Sequence, residues 1–188
     1  IVIGGYKIVD ASGATIDKVR HDRLSLSGAE AAVELLTKQD DLFVIAWNKL
    51  YRRDLFIKND IWYPAGRIHE DNLTTYKLLS KARGVEIIES NNYLYVKRAG
   101  SITNTTKKSV QVQEKINAAK EAIDYFPEGD LREAARYSLF LARIIELNEA
   151  IRAKKSGDYK KIISEISILT PSKNKYCPAK GKIYSVLL

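Results

Sequence analysis

The chain has 188 residues, of which 45% are hydrophobic and 29% charged, and it carries a formal net charge of +8. That length suits one domain or a domain with an appendage, its apolar content is enough for a real core, and wholesale disorder is excluded. The single cysteine, Cys177, excludes an internal disulfide and a cysteine-based zinc cluster, the two histidines, His21 and His69, are too few for a histidine metal site, and no apolar run reaches the roughly 18 residues that cross a bilayer.

The charge is not gathered in a tail. Basic residues outnumber acidic ones 17 to 13 up to Ser109 and 14 to 10 beyond it. Such a surface suits anionic partners, whether nucleic acid, an acidic membrane face or a phosphate-bearing substrate, and neither an aromatic RNP run nor paired zinc ligands single out nucleic acid. No methionine occurs and the opening IVIGGYKIVD alternates like a strand. The expectation is therefore a fragment whose preceding residues are missing.

In chain order, Ile1 to about Val9 predicts a strand, and Ser12 and Gly13 a turn that leads into a hairpin or edge pair. Ser27 stands as a cap before Ala31, Val33, Leu35 and Leu36, a short helix. Leu42 to Trp47 is a compact apolar run that becomes amphipathic around Leu50, Tyr51, Leu55 and Phe56, which predicts a buried segment leading into a helix. After the Pro and Gly of YPAGRIHED, the residues Leu73, Tyr76, Leu78 and Leu79 predict a helix that ends near Gly84, a residue suited to a left-handed cap. VEIIES and YLYVKR read as two short strands separated by the turn-forming Asn91 and Asn92.

From Thr103 to Ser109 the composition turns polar and predicts a linker. Beyond it the pattern is helical. Val112, Ile116, Ala119 and Ile123 form one stripe that stops before Pro127, and Leu131, Ala135, Leu139, Ala142, Ile145 and Ile151 form a second that Gly157 ends. YKKIISEISIL predicts a third helix, closed by Thr170 and Pro171. These stripes are read as core rather than as a lipid-binding face.

Glu70 and Asp71, at the start of the helix that follows Gly66, admit two readings. Acidic residues in a first turn complement the helix dipole and cap free N–H groups. A carboxylate fixed on a rigid element is also what a general base needs.

WNKLYRRDLF at 47–56, PAGRIHED at 64–71 and YLYVKRAGSIT at 93–103, in this order and spacing, resemble the carboxy-terminal half of bacterial family 2 glycosyltransferases, which have the GT-A fold. The resemblance covers about residues 1–105. It implies an inverting transfer of a sugar from a nucleotide-sugar donor to a hydroxyl of a glycan or lipid-linked acceptor, in cell-surface polysaccharide synthesis. The position matching the catalytic base is Asp71, with Glu70 orienting the acceptor or holding the turn. His69 is placed as an acceptor or supporting contact and not as a metal ligand. Lys49 is either a solvated lysine or a cation near the diphosphate or acceptor pocket, and Trp47 either core or a stacking surface for a sugar. Arg98 and Ser101 match the strand exit, where that family closes over donor phosphates.

The chain departs from the family in lacking the aspartate that reads uracil and an Asp-x-Asp metal motif; Asp40-Asp41 lies inside the matched half and is not that motif. The resemblance therefore implies Mg2+ or Mn2+ in a full-length enzyme and no metal or nucleotide site in this chain. The expected architecture is α/β: a partial GT-A-like unit at residues 1–105 followed by a helical appendage at 110–188, which offers a route to a homo-oligomer. The implied location is cytoplasmic, at the inner face of the plasma membrane, where the basic helices make peripheral contact. Two alternatives stay open, a non-catalytic interaction module and a basic binder of anionic membrane or nucleic acid.

Overall fold

The computed structural model describes residues 1–98, 100, 101, 105–154, 156–169, 175 and 176. The chain is of mixed α/β class and divides into two compact units, Ile1–Thr106 and Lys107–Leu188. Cys177, Thr170 and Pro171 lie outside the described residues, as do parts of the stretches 93–103 and 103–109.

The first unit is built on one mixed sheet. β1 (Val2–Val9) is its spine, because its alternating pattern buries Ile3 and Val9 among helices while leaving a full hydrogen-bonding edge on each side. One edge is shared by two antiparallel partners, β2 (Thr15–Val19) beside Tyr6–Val9 and β4 (Lys49–Leu50) beside Val2 and Ile3. The other edge takes β5 (Val85–Val96) in parallel, and β3 (Leu24–Leu26) closes the sheet antiparallel to β5. The hairpin expected after β1 is present, turning at Asp10–Ala14 with Gly13 at φ 88°.

The expectation of two strands in 85–98 is corrected. β5 is one strand that runs through Asn91 and Asn92, and its pairing with β1 jumps from Gly4↔Ile88 to Tyr6↔Tyr93. The four residues Glu89–Asn92 therefore face the single residue Gly5, so the asparagines sit in a bulge that bends the strand without ending it. Gly5 is what makes room, since a Cβ there would lie 2.4 Å from the Val19 carbonyl oxygen and 2.7 Å from that of Ser90.

Helix α1 (Gly28–Lys38) starts where expected, at Ser27. The Ser27 hydroxyl accepts from the Glu30 N–H at 3.2 Å and Glu30 Oε2 accepts from the Ser27 N–H at 2.8 Å, a reciprocal cap that typically contributes about 1 kcal/mol. Its Ala31, Ala32, Leu35 and Leu36 are buried, packed toward α4 (Glu70–Lys81). Between these two helices the buried segment expected to lead into a helix holds a four-residue α2 (Asp41–Val44) and the short β4 (Lys49–Leu50), and the helix that follows, α3, starts only at Arg53 and runs to Asn59. Leu50, assigned to an amphipathic helix by its pattern, is 75% exposed in β4.

Helix α4 ends differently from expectation. Ala82 caps it in an extended conformation, and Gly84 has no positive φ, because the chain turns straight into buried Val85. The Ala82 carbonyl lies where a Cβ on Gly28 would be only 2.0 Å away, so the start of α1 and the end of α4 touch backbone to backbone.

The second unit is helical: α5 (Lys108–Tyr125), α6 (Asp130–Arg152), a 3-10 turn at Ser156–Asp158, and α7 (Tyr159–Leu169). α6 is central. One face packs Leu139 and Ala142 on Val112, Ile116 and Ala119 of α5, and another packs Phe140, Ile144 and Leu147 on Ile162 and Ile166 of α7. Arg143, only 12% exposed, ties α6 to α7 by pairing with Glu146 at 2.6 Å and Glu165 at 2.5 Å. α6 stops at Arg152, with Lys154 taking the left-handed turn at φ 54°, rather than at Gly157, and Ile151 is exposed instead of core. No helix among the described residues is long and apolar enough to cross a membrane.

The backbone contact at Gly28 gives a paired test. Gly28→Ala forces the α1–α4 contact apart and is expected to cost about 3 kcal/mol, the upper end of overpacking. Gly84→Ala, whose Cβ would meet only the Leu26 oxygen at 3.9 Å, is expected to be neutral or stabilising by up to about 1 kcal/mol. Urea unfolding of both variants checks the contrast.

Candidate active site

The carboxylate pair sits where the chain makes its sharpest local commitment. Gly66 turns at φ 73°, and His69 then takes a left-handed conformation at φ 56°, uncommon for a residue with a side chain, as the N-cap of α4. No side chain caps the helix at that residue. His69 Nε2 is buried with no hydrogen-bond partner. Glu70 and Asp71 follow as the first two helical residues.

Asp71 Oδ1 accepts from the Asn72 backbone N–H at 2.9 Å and from Asn72 Nδ2 at 3.1 Å. The side chain thus satisfies one first-turn N–H, as the capping reading requires, but it is also largely withdrawn from water. Burial pushes the Asp71 carboxyl above the usual aspartate range, and the neighbouring charge of Glu70 acts in the same sense. The Asn72 donors and His69 pull the other way without cancelling the effect. A carboxylate in that state is a better proton acceptor than a solvated one.

Lys49 is electrostatically linked to Asp71. It is 8% exposed, so the solvated-lysine reading is corrected: its Nζ donates to the Leu42 carbonyl at 2.7 Å, to Asn48 Oδ1 at 2.8 Å and to the Ile45 carbonyl. Burial pulls its pKa down to about 7, while the charges of Asp71 and then Asp40 act to raise it. All three ammonium protons go to protein oxygens, which leaves none to hold a diphosphate and makes Lys49 an organiser of the site.

Three further residues join this carboxylate that the sequence reading did not select. Tyr51 and Tyr63 bring their phenol oxygens 3.5 Å apart, and both share a hydrogen bond with the Thr75 hydroxyl. Burial raises both phenol pKa values, Asp71 contributing to each, so the pair stays neutral and able to donate. Thr75 in turn donates to the Val44 carbonyl at 2.9 Å. The one available signal was position: Tyr51 ends Trp-Asn-Lys-Leu-Tyr and Tyr63 opens Tyr-Pro-Ala-Gly.

Trp47 belongs to an aromatic set on the sheet. Its ring stacks on Tyr93 at 4.3 Å and Tyr95 at 5.3 Å and meets Tyr6 edge-on at 4.7 Å. Burial, with Asp41 and Asp40 nearby, pushes the Tyr6 phenol up to about 12. Arg98 is exposed just past the end of β5, where its carbonyl accepts from the Ser101 N–H at 3.3 Å. Among the described residues no group of three or more His, Cys, Asp or Glu side chains comes together to hold a metal ion.

Compared with models of known protein families, the chain matches none, and no curated protein matches it.

The lysine gives a test by pH. An unfolded lysine keeps its proton to about 10.5 whereas folded Lys49 releases it near 7, so between those values the unfolded state binds more protons and stability rises with pH. The slope approaches about 1.4 kcal/mol per pH unit at most. The scan should stop below the ordinary tyrosine value of about 10, where buried Tyr51 and Tyr6 reverse the trend. Lys49→Met is expected to flatten the rise, and an unchanged slope in urea titrations of that variant would show that another group causes it.

Proposed function

We propose that the chain is the acceptor side of an inverting, family 2-like glycosyltransferase of GT-A type, with Asp71 as general base. The observation that carries the reading is the partly desolvated Asp71, with its raised pKa, on the first turn of α4 and electrostatically linked to Lys49 and Tyr51. Supporting it, two segments separated by α3, Lys49–Tyr51 and Tyr63–Asp71, converge on this one carboxylate. The mixed sheet with flanking helices is compatible with the GT-A assignment.

In this reading an acceptor hydroxyl lies against Asp71, which takes its proton as the oxygen attacks the anomeric carbon from the side opposite the nucleotide diphosphate. The new C–O bond forms as the bond to the diphosphate breaks, and the configuration inverts. A positioned base contributes about 10² to 10⁴ in rate. Glu70 and His69 shape the acceptor pocket, neutral Tyr51 and Tyr63 supply hydrogen bonds, and Trp47 with Tyr93 and Tyr95 forms an aromatic wall suited to a sugar ring. Arg98 stands where donor phosphates would pass. The nucleotide-sugar and its Mg2+ or Mn2+ are held by residues other than those of this chain, the acceptor is a glycan or lipid-linked hydroxyl, and the work is done at the cytoplasmic face of the membrane.

The test is made in the complete enzyme. Asp71→Asn keeps shape but removes the proton acceptor, so kcat should fall by about 10² or more with little change in donor affinity, while Glu70→Gln should be milder. Because a base must be deprotonated to act, wild-type kcat should fall on the acid side with a midpoint above the ordinary aspartate value of about 3.9. Near-normal turnover of Asp71→Asn would assign the carboxylates to the helix and favour a non-catalytic module.

A further inference from the structure

Of the apolar residues from Leu50 to Trp62, only Ile61 is buried in the core. No residue of α3 is buried, and Leu50 (75% exposed), Trp62 (61%) and Ile57 (52%) face solvent. Trp62 is nevertheless held in place. Phe56 packs against Tyr51, Tyr63 and Trp62 with ring centroids 5.5, 6.2 and 6.3 Å away, and its carbonyl accepts from the N–H of buried Ile61 at 3.1 Å. Trp62 Nε1 donates to Asp60 Oδ1 at 2.8 Å, which fixes the polar edge of the indole on the protein.

Basic residues alternate with these side chains. Arg52, Arg53 and Lys58 are exposed on the same segment, and Asp54 is the acid between them, pairing with Arg52 at 3.0 Å and Lys58 at 3.4 Å. Beside α3 lies a groove of about 580 Å³ whose walls include Arg52 at the cap of that helix, Lys58 within it, Lys81 at the end of α4 and Arg83 just after it, with Asp54 as the one acid. Four basic side chains around an opening of that size suit a phosphate-bearing group.

We infer that this face, α3 with Leu50, Ile57 and Trp62, is a docking surface for an anionic lipid bilayer. The charges draw it to acidic headgroups, each basic residue near such a surface contributing about fivefold in affinity. The aliphatic side chains and the indole then sit at the boundary between headgroups and acyl chains, where tryptophan is enriched and apolar area is released from water. A nucleic acid would use the cations, but Leu50 and Ile57 have no counterpart on a phosphate backbone. The inference rests on this surface alone and not on the assignment of Asp71.

Flotation with vesicles tests it. The chain should bind vesicles of phosphatidylcholine containing about one third phosphatidylglycerol, as a surface needing both charge and apolar contact requires, and should bind pure phosphatidylcholine at least tenfold less. The tryptophan emission should shift to the blue on binding, also in Trp47→Phe, which leaves Trp62 as the reporter. Ile57→Ser with Trp62→Ser, and separately Arg53→Glu with Lys58→Glu, should each weaken binding tenfold or more with unchanged circular dichroism melts. Wild-type affinity in those variants, binding to neither vesicle, capture of duplex DNA in place of vesicles, or self-association through the same residues would each overturn the inference. Catalysis is not read in any arm, so its outcome is independent of the base assignment.

Discussion

A four-residue helix has no intrahelical partner for its last carbonyls, and the first unit depends on how that problem is solved at α2. Lys49 answers the carbonyls of Leu42 and Ile45, Asn48 Nδ2 adds a second bond to Leu42 at 3.0 Å, and Thr75 answers Val44. The same Asn48 bonds Gly4 of β1 in both directions, Nδ2 to the Gly4 carbonyl at 3.1 Å and its own carbonyl to the Gly4 N–H at 2.9 Å. One buried ammonium, one amide and the Thr75 hydroxyl thus lock α2, β4, α4 and the start of β1 together. Burying a charge is costly unless it is fully hydrogen-bonded, and here each proton has an oxygen. Removing it would leave the Ile45 carbonyl and Asn48 Oδ1 unpaired, each worth about 1–3 kcal/mol when buried.

That lock also sets the chemistry of the carboxylate. Thr75 lies one turn along α4 from Asp71, so the bond from Thr75 to Val44 anchors the helix that carries the acid. Lys49 and Asp71 are displaced in opposite senses from their solution behaviour, the ammonium toward neutrality and the carboxylate toward protonation, because both have lost water. The charge of Asp71 moderates the shift of Lys49, while the Asn72 donors and His69 moderate that of Asp71. His69, left-handed at the helix start with a buried Nε2 that has no hydrogen-bond partner, is the local misfit, and such misfits concentrate at sites that do work.

The parts that were legible in the sequence were those governed by period and by side-chain caps. α1, α4 and the long helices of the second unit follow the spacing of their apolar residues, and Ser27 marks a start because its hydroxyl makes a bond that only a few residue types can make. What escaped was set by backbone partners that carry no residue signature. Lys49 looks like any lysine until the carbonyls of Leu42 and Ile45 surround it. Asn91 and Asn92 look like a turn because nothing in the sequence says that Gly5, some 86 positions earlier, opens space for a bulge. Glu70 and Asp71 stood out by composition, whereas Tyr51, Tyr63 and Thr75 join them only through the fold. Gly84 resembles a helix cap, but the close approach of Ala82 to Gly28 ends α4 first.

The parallel ladder between β1 and β5 has a consequence for how the unit is made. Its first pairs join Val2 to Glu86 and Ile3 to Ile87, so the centre of the sheet closes a loop that spans most of the unit. Contacts of such long separation form slowly, because chain entropy is lost before they repay it. On a ribosome, β1 emerges well before β5, and although one edge can pair with β2 at once, the other waits open for β5. α1 and α4 can form meanwhile, but the sheet, and with it the setting of Lys49 beside β1, is completed only once synthesis has passed Val96. In that interval the open edge of β1 is a ready site for pairing with another chain.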